Sequence, residues 1–185
     1  MTNDECLMND EFRSTNARSA DIVVRHSSFK NMRPKTRIAP CSVGRGLFAA
    51  EPIAAGTLIL QFSGPELTLN EVRALGPAAA NALQVGIDRY LYLDEPGRMV
   101  NHSCSPNAVV RNDTALFAIR DIAPDEEIRF DYSTTISDGW TMACTCGSPD
   151  CRGLVVAFQL LPERLRRQYA VMDQVQRFIL EAVGA

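Results

Sequence analysis

Cys104, inside Asn101-His102-Ser103-Cys104-Ser105-Pro106-Asn107, is followed far along the chain by Cys144-Thr145-Cys146 and Cys151. Four thiols at such spacings can close one tetrahedral metal site, and zinc is its natural guest. Thiolates are soft ligands that hold Zn²⁺ at about 2.3 Å, and a four-sulfur shell leaves no open position for a reactive water. The predicted metal, ligated by Cys104, Cys144, Cys146 and Cys151, is therefore structural. One distant cysteine joined to a clustered Cys-x-Cys-x4-Cys would pin a C-terminal segment back onto the body of the domain. Disulfides are the competing use of the thiols, but Cys144 and Cys146 are too close to serve that scheme easily. Cys6 and Cys41 read as bystander thiols.

A second group of residues suggests ligand binding. Val43-Gly44-Arg45-Gly46-Leu47-Phe48 places two glycines where a chain can turn tightly and bring its backbone close to a ligand. It lacks the third glycine and the helical continuation of a dinucleotide fingerprint, so a nicotinamide cofactor is disfavoured. Taken singly, these residues have plainer readings. The glycines would make a turn, Asn101 would cap one, and His102 would be a satisfied interior histidine.

The elements that must position these residues are mainly β. Leu47-Phe48-Ala49, the run 57–62, Tyr90-Leu91-Tyr92-Leu93, Ala108-Val109-Val110 and the run 115–119 are short β-type segments. Pro52, Gly56, Gly64, Gly97, Pro106 and Pro124 punctuate them. Thr68-Leu69-Asn70-Glu71 fits a capping box that opens a short helix before Gly76-Pro77, leaving an inserted segment up to about Ile87. Leu161, Leu165, Met172, Val175 and Ile179 recur at helical spacing after Pro162, predicting one C-terminal amphipathic helix over 157–185. Docking on its own domain is its first expected role, and a homodimer surface its second. Residues 1–28 are polar, lack apolar periodicity and read as a flexible arm.

Composition excludes some classes. The chain has 185 residues, 46% hydrophobic and 22% charged, enough for one substantial core. No apolar run approaches the roughly 20 residues of a membrane span, so no membrane partner is expected. Met1-Thr2-Asn3-Asp4-Glu5 lacks the start of a secretory signal, which predicts a reducing cytoplasmic or nuclear setting. A net charge of −3 gives no basic footprint for nucleic acid. Arg164, Arg166 and Arg167 read as an exposed helix face.

Together, Gly44-Arg45-Gly46, Arg98 to Asn107, Glu127-Ile128-Arg129-Phe130-Asp131-Tyr132 and the cysteine cluster resemble the SET-domain protein lysine methyltransferases, over roughly Pro34 to Val155. The resemblance implies a β-clip fold of small curved sheets in which the Asn101 and Tyr132 segments cross as a pseudoknot, an exception to the avoidance of threaded chains. It divides the chain into a catalytic domain over 29–142 and a post-SET zinc-binding segment over 143–156. It also implies S-adenosylmethionine as methyl donor. Gly44, Arg45 and Gly46 would present backbone groups to the donor's amino-acid end, Asn101 would bond its ammonium, and the His102 backbone would contact its adenine. Tyr132 would be the catalytic residue. Phe62, Tyr90, Tyr92 and Phe130 would line a channel for the lysine of a protein substrate, a histone tail being the family's best-known target. Phenylalanine at 130, which cannot anchor a competing water, points to di- or trimethylation.

The chain also departs from the family pattern. Phe62-Ser63-Gly64 stands where the family often has tyrosine-x-glycine, so one hydroxyl expected near the active site is absent. Val155 and Val156 stand where an aromatic commonly follows the last cysteine, and Trp140 is the candidate to supply that wall. Phe62 supports an alternative, a non-catalytic protein-binding module on the same scaffold. Retention of Gly44, Gly46, Asn101, His102 and Tyr132 argues against it, since a pure binder needs no donor site.

Overall fold

The computed structural model describes residues 33–183. The arm expected over 1–28 and Cys6 lie outside the described residues. The chain runs β1 (Thr36–Cys41), β2 (Gly44–Ala49), β3 (Leu58–Gln61), β4 (Glu66–Leu67), α1 (Leu69–Ala74), β5 (Ala82–Gly86), β6 (Arg89–Tyr92) and β7 (Asn101–His102). It continues through β8 (Ala108–Arg111), β9 (Ala115–Ala118), β10 (Arg129–Phe130), β11 (Met142–Ala143), β12 (Leu154–Val155), α2 (Glu163–Val171) and α3 (Arg177–Val183). The fold is mainly β, with a short inserted helix and C-terminal helices. Its sheets are small and open: β1-β2, β3-β9-β8, β4-β6-β5, β7-β10 and β11-β12.

Each of the five expected strand segments overlaps a strand. The β1-β2 hairpin turns tightly, with Cys41 opposite Gly44, and Gly44 takes φ +114° to do so. Alternation along β2 sends Leu47 and Ala49 inward. They meet Ile59, Val110, Leu116, Ile122 and Ile128 in one core. Burying a side chain of this size stabilises by roughly 1.5–3 kcal/mol relative to leaving it exposed.

The capping box before α1 is present: the Thr68 hydroxyl accepts from the Glu71 N–H, and the Glu71 carboxylate accepts from the Thr68 N–H at 2.8 Å. The chain then continues as a 3₁₀ turn over Gly76–Asn81 and enters β5, inside the stretch read as an insert up to Ile87. In β5, Leu83, Gln84, Val85 and Gly86 are all buried, so the strand carries no polar-apolar alternation for periodicity to detect.

The single terminal helix expected over 157–185 is broken. A 3₁₀ turn spans Phe158–Leu160, α2 ends by Met172, and Asp173 takes φ +52° before α3 begins. Gln176, 1% exposed, explains the break, because it serves tertiary partners instead of a helix. Its Nε2 donates to Asp113 O at 2.8 Å and its backbone N–H to Thr134 O at 3.1 Å. Leu161, Val175 and Ile179 are buried as their spacing suggests, packing with Phe158, Tyr169 and Phe178. Met172 is 49% exposed. Among the described residues, no helix is long and apolar enough to cross a membrane.

The turn that delivers β10 is held by Glu126. Burial pushes its carboxyl up, but hydrogen bonds from Arg120, Asn107 and the Ala123 N–H outweigh burial and bring it from 4.5 to about 2. A carboxyl depressed in the folded state contributes stability that is present above its unfolded pKa and lost as pH falls through its folded one. Glu126→Gln is therefore expected to lower Tm at neutral pH. The deficit should shrink as pH drops from about 4.5 toward 2. Circular-dichroism melts across that range check it, and a deficit that does not change with pH would count against the assignment.

Candidate active site and metal centre

β7 and β10 run parallel, pairing Asn101 with Arg129 and His102 with Phe130. This brings the Asn101 to Cys104 stretch beside Asp131 and Tyr132. Asp131 is fully buried and intensely bonded. It accepts from both Nη atoms of Arg152 at 2.8 Å, from the Tyr169 hydroxyl at 2.7 Å and from the Ser133 N–H at 3.0 Å. A buried carboxylate is tolerable only with such partners. The cluster ties the chain before Tyr132, the segment after Cys151 and α2 to one point. Asp131, Arg152 and Tyr169 were not among the residues singled out from sequence. For the first two, a charge inside each motif block was a usable signal, whereas Tyr169 gave none.

Tyr132 stands where two cavities meet. A narrow one of about 70 Å³ is lined by Tyr90, Val100, Ile136, Asp138 and Trp140 among others. A wider one of about 270 Å³ is lined by Val43, Asn101, His102 and the run 142–146. Tyr132, Arg98, Ala80 and Asn81 line both. The Tyr132 hydroxyl donates to Val100 O at 2.9 Å, and burial pushes its pKa up, keeping it a neutral donor.

The expected channel residues separate. Tyr90 lines the narrow cavity, together with Trp140, the candidate wall. Tyr92 lines neither cavity. Phe130 packs on Tyr132 with ring centres 4.8 Å apart, and Phe62 packs on Phe130 at 6.0 Å. Phe62 also presses on Gly97, where a Cβ would fall 2.7 Å from its ring. Phe62 and Phe130 thus form an apolar backing to Tyr132, and neither lines either cavity.

Of the expected donor-site residues, Asn101 and His102 line the wider cavity. Gly44, Arg45 and Gly46 lie beside it, next to its lining residue Val43. Arg45 reaches Glu95 at 3.4 Å, and its carbonyl accepts from Asn101 Nδ2 at 3.0 Å. Asn101 Nδ2 also donates to Glu127 at 2.8 Å and lies 3.4 Å from Cys41 Sγ, and among the described residues the Asn101 side-chain oxygen accepts no hydrogen bond. Gly46 is closely approached: a Cβ there would overlap Glu127 Oε1 and lie 3.1 Å from Asn101 Nδ2, so these side chains would have to shift.

Three of the four expected sulfurs, those of Cys104, Cys144 and Cys146, gather with His102. Cys144 Sγ lies 3.8 Å from Cys104 Sγ and 3.7 Å from Cys151 Sγ. A tetrahedron with zinc–sulfur bonds of about 2.3 Å has edges of about 3.8 Å, so these separations fit the ion. Donor atoms of His102, Cys104, Cys144 and Cys146 lie within 4.8 Å of one another. Cys151 stands outside that group of four, beside Cys144. Backbone N–H groups point at the sulfurs as well, Cys104 N at Cys146 Sγ (3.5 Å) and Arg152 N at Cys104 Sγ (3.4 Å). Thiolates this close repel one another unless a dication sits among them. The cluster is a structural zinc site in its chemistry. Its donors are chiefly soft, and Cys104 and Cys144 are buried.

Residues 44–133 match the family model of the SET domain. This chain is a SET-domain protein. The chain is similar to part of "Histone-lysine N-methyltransferase, H3 lysine-4 specific" from several fungi. The Kluyveromyces lactis protein is 26% identical over 155 residues, covering 74% of this chain and 16% of that protein. The Saccharomyces cerevisiae protein is 29% identical over 129 residues, covering 60% of this chain and 12% of its own length. The Yarrowia lipolytica protein is 30% identical over 127 residues, covering 58% and 11%. The SET-domain chain thus matches only a small part, 16% or less, of these relatives' length.

Proposed function

We propose that this SET-domain protein transfers methyl groups from S-adenosylmethionine to the side-chain amine of lysine in a protein substrate. The observation that carries the reading is Tyr132 at the junction of a wide cavity and a narrow one. When bound, S-adenosylmethionine supplies an electrophilic methyl on a sulfonium. The wide cavity fits it chemically, with the Asn101 oxygen available to an ammonium. The narrow cavity fits an unbranched side chain. A lysine amine of pKa about 10.4 is mostly protonated near neutrality, so transfer requires that it first give up its proton. Holding amine and donor on one axis removes much of the entropic barrier. Tyr132, fixed by Val100 O and backed by Phe130, keeps its hydroxyl at that junction.

Phe130 and Phe62 leave no hydroxyl behind Tyr132 to anchor a water, which favours di- or trimethylation. A basic, histone-like tail is the first substrate class to test, in keeping with the names of the fungal relatives. We assign the zinc ligands as Cys104, Cys144, Cys146 and Cys151, and give His102 a different task. His102 Nδ1 accepts the Tyr132 N–H at 3.2 Å, and burial lowers the ring's pKa to about 4, so it is neutral. Nε2 lies 3.3 Å from Cys104 Sγ, and in the tautomer protonated there it donates to the sulfur.

Mass spectrometry of lysine-rich proteins incubated with S-adenosylmethionine tests the activity. Successive increments of one methyl mass support it, and donor binding without any increment would favour the non-catalytic binding module. Gly46→Ala should push on Glu127 and Asn101 and weaken donor binding by about tenfold or more, roughly 1.4 kcal/mol. Calorimetric titration reads this directly, and an unchanged affinity would remove the hairpin from the donor site.

A further inference from the structure

The narrow cavity contains one group that methyl transfer does not explain, the carboxylate of Asp138. It is held from two sides. Oδ2 accepts from the Tyr90 hydroxyl at 2.9 Å and Oδ1 from the Trp140 N–H at 2.9 Å. Its loop is pinned to β5 through Ser137, whose N–H donates to Gln84 Oε1 at 2.8 Å and whose hydroxyl accepts from Gln84 Nε2 at 2.8 Å. Gln159 Nε2 adds a third tie, to Ser137 O at 3.1 Å. Gln84 and Tyr90 are 5% and 3% exposed, so the anchors are core residues.

Among the described residues Asp138 takes part in no ion pair. Arg98, the other charged side chain lining this cavity, lies 3.3 Å from Glu95. The narrow cavity therefore carries an oriented negative charge with two lone-pair sites occupied and the others open. Burial pushes the Tyr90 phenol up, so Tyr90 stays a donor and keeps the carboxylate in this pose.

We propose that Asp138, aimed by Tyr90 and the Trp140 N–H, recognises the substrate lysine as a primary ammonium when it enters the narrow cavity. The inference rests on the lysine-methyltransferase reading. A carboxylate stabilises the charged amine, so the role of Asp138 is capture and selection, distinct from deprotonation. A neutral alkyl chain would lack the ion pair, and a planar guanidinium spreads its charge over three nitrogens where an ammonium presents a compact point charge.

Trp140 is the sole tryptophan of the chain and lines this cavity, so its indole reports occupancy. The full chain is titrated with n-butylammonium, n-butanol and n-butylguanidinium, following Trp140 fluorescence and its indole N–H resonance. The expected result is a saturable shift with n-butylammonium, weaker by roughly tenfold or more for the other two. Asp138→Asn, with Tm unchanged, should lose most of that preference, and Tyr90→Phe, which keeps the charge but frees it to turn, should lose part of it. Equal binding of butanol and butylammonium, or unaltered preference in Asp138→Asn, overturns the proposal. Methyl transfer is read separately. Turnover with an unchanged KM in Asp138→Asn removes Asp138 alone, whereas intact ammonium selection in a protein that transfers no methyl group keeps the pocket and removes the enzyme.

Discussion

Tyr132→Phe is expected to reduce methyl transfer by about 10²–10³-fold while leaving donor binding and fold nearly intact. The ring stays, so its packing on Phe130 and against His102 is retained. What is lost is one hydroxyl at the junction of the two cavities and its bond to Val100 O. Such a deletion costs stability on the order of 1 kcal/mol, too little to unfold the domain. The rate effect must therefore come from the hydroxyl's place in the reaction, where oxygen atoms can steady a polarised methyl through weak C–H···O contacts. Initial rates beside a donor-binding titration separate the two effects. Wild-type turnover in the variant would take Tyr132 out of the chemistry.

Zinc removal should have an effect of comparable size by another route. The run Met142 to Cys146 lines the wider cavity, and within it Cys144 stands at tetrahedral-edge distance from Cys104 and from Cys151. Metal-binding free energy at such a site is folding free energy for the segment it clamps. Chelation, or Cys104→Ser, should therefore unlock β11 and β12, free Arg152 from Asp131 and open the cavity wall. The expected signs are a Tm lower by on the order of 10 °C and loss of donor affinity. A metal-free protein with unchanged melting and affinity would show that the cluster is not a clip.

The parts legible in the sequence were those with local causes. The capping box at Thr68 and Glu71 and the short strands bounded by Gly and Pro depend on neighbours within a few residues. The gathering of Cys104 with the distant cysteines was legible because metal chemistry restricts the spacing. The break before α3 was hidden, since Val175 and Ile179 do keep helical spacing, and it is tertiary bonding by Gln176 that ends the helix. β5 was hidden because both of its faces are buried. Phe62 and Phe130 were expected at the channel wall, but motif position says which strand carries a ring and not which layer it occupies. The Asp131, Arg152 and Tyr169 cluster joins residues from three separate segments, and only the folded chain brings them together.

Because Arg152 directly follows Cys151 and inserts into Asp131 beside Tyr132, occupancy of the metal site and of the wider cavity cannot be independent. Linkage is reciprocal: whatever filling the cavity gains from an ordered wall, the ion gains equally from a filled cavity. A cell poor in zinc would then see this protein lose its grip on a small ligand before it lost its fold, and abundant ligand would slow the escape of the ion. The fold makes the protein's sensitivity to the two supplies a single property.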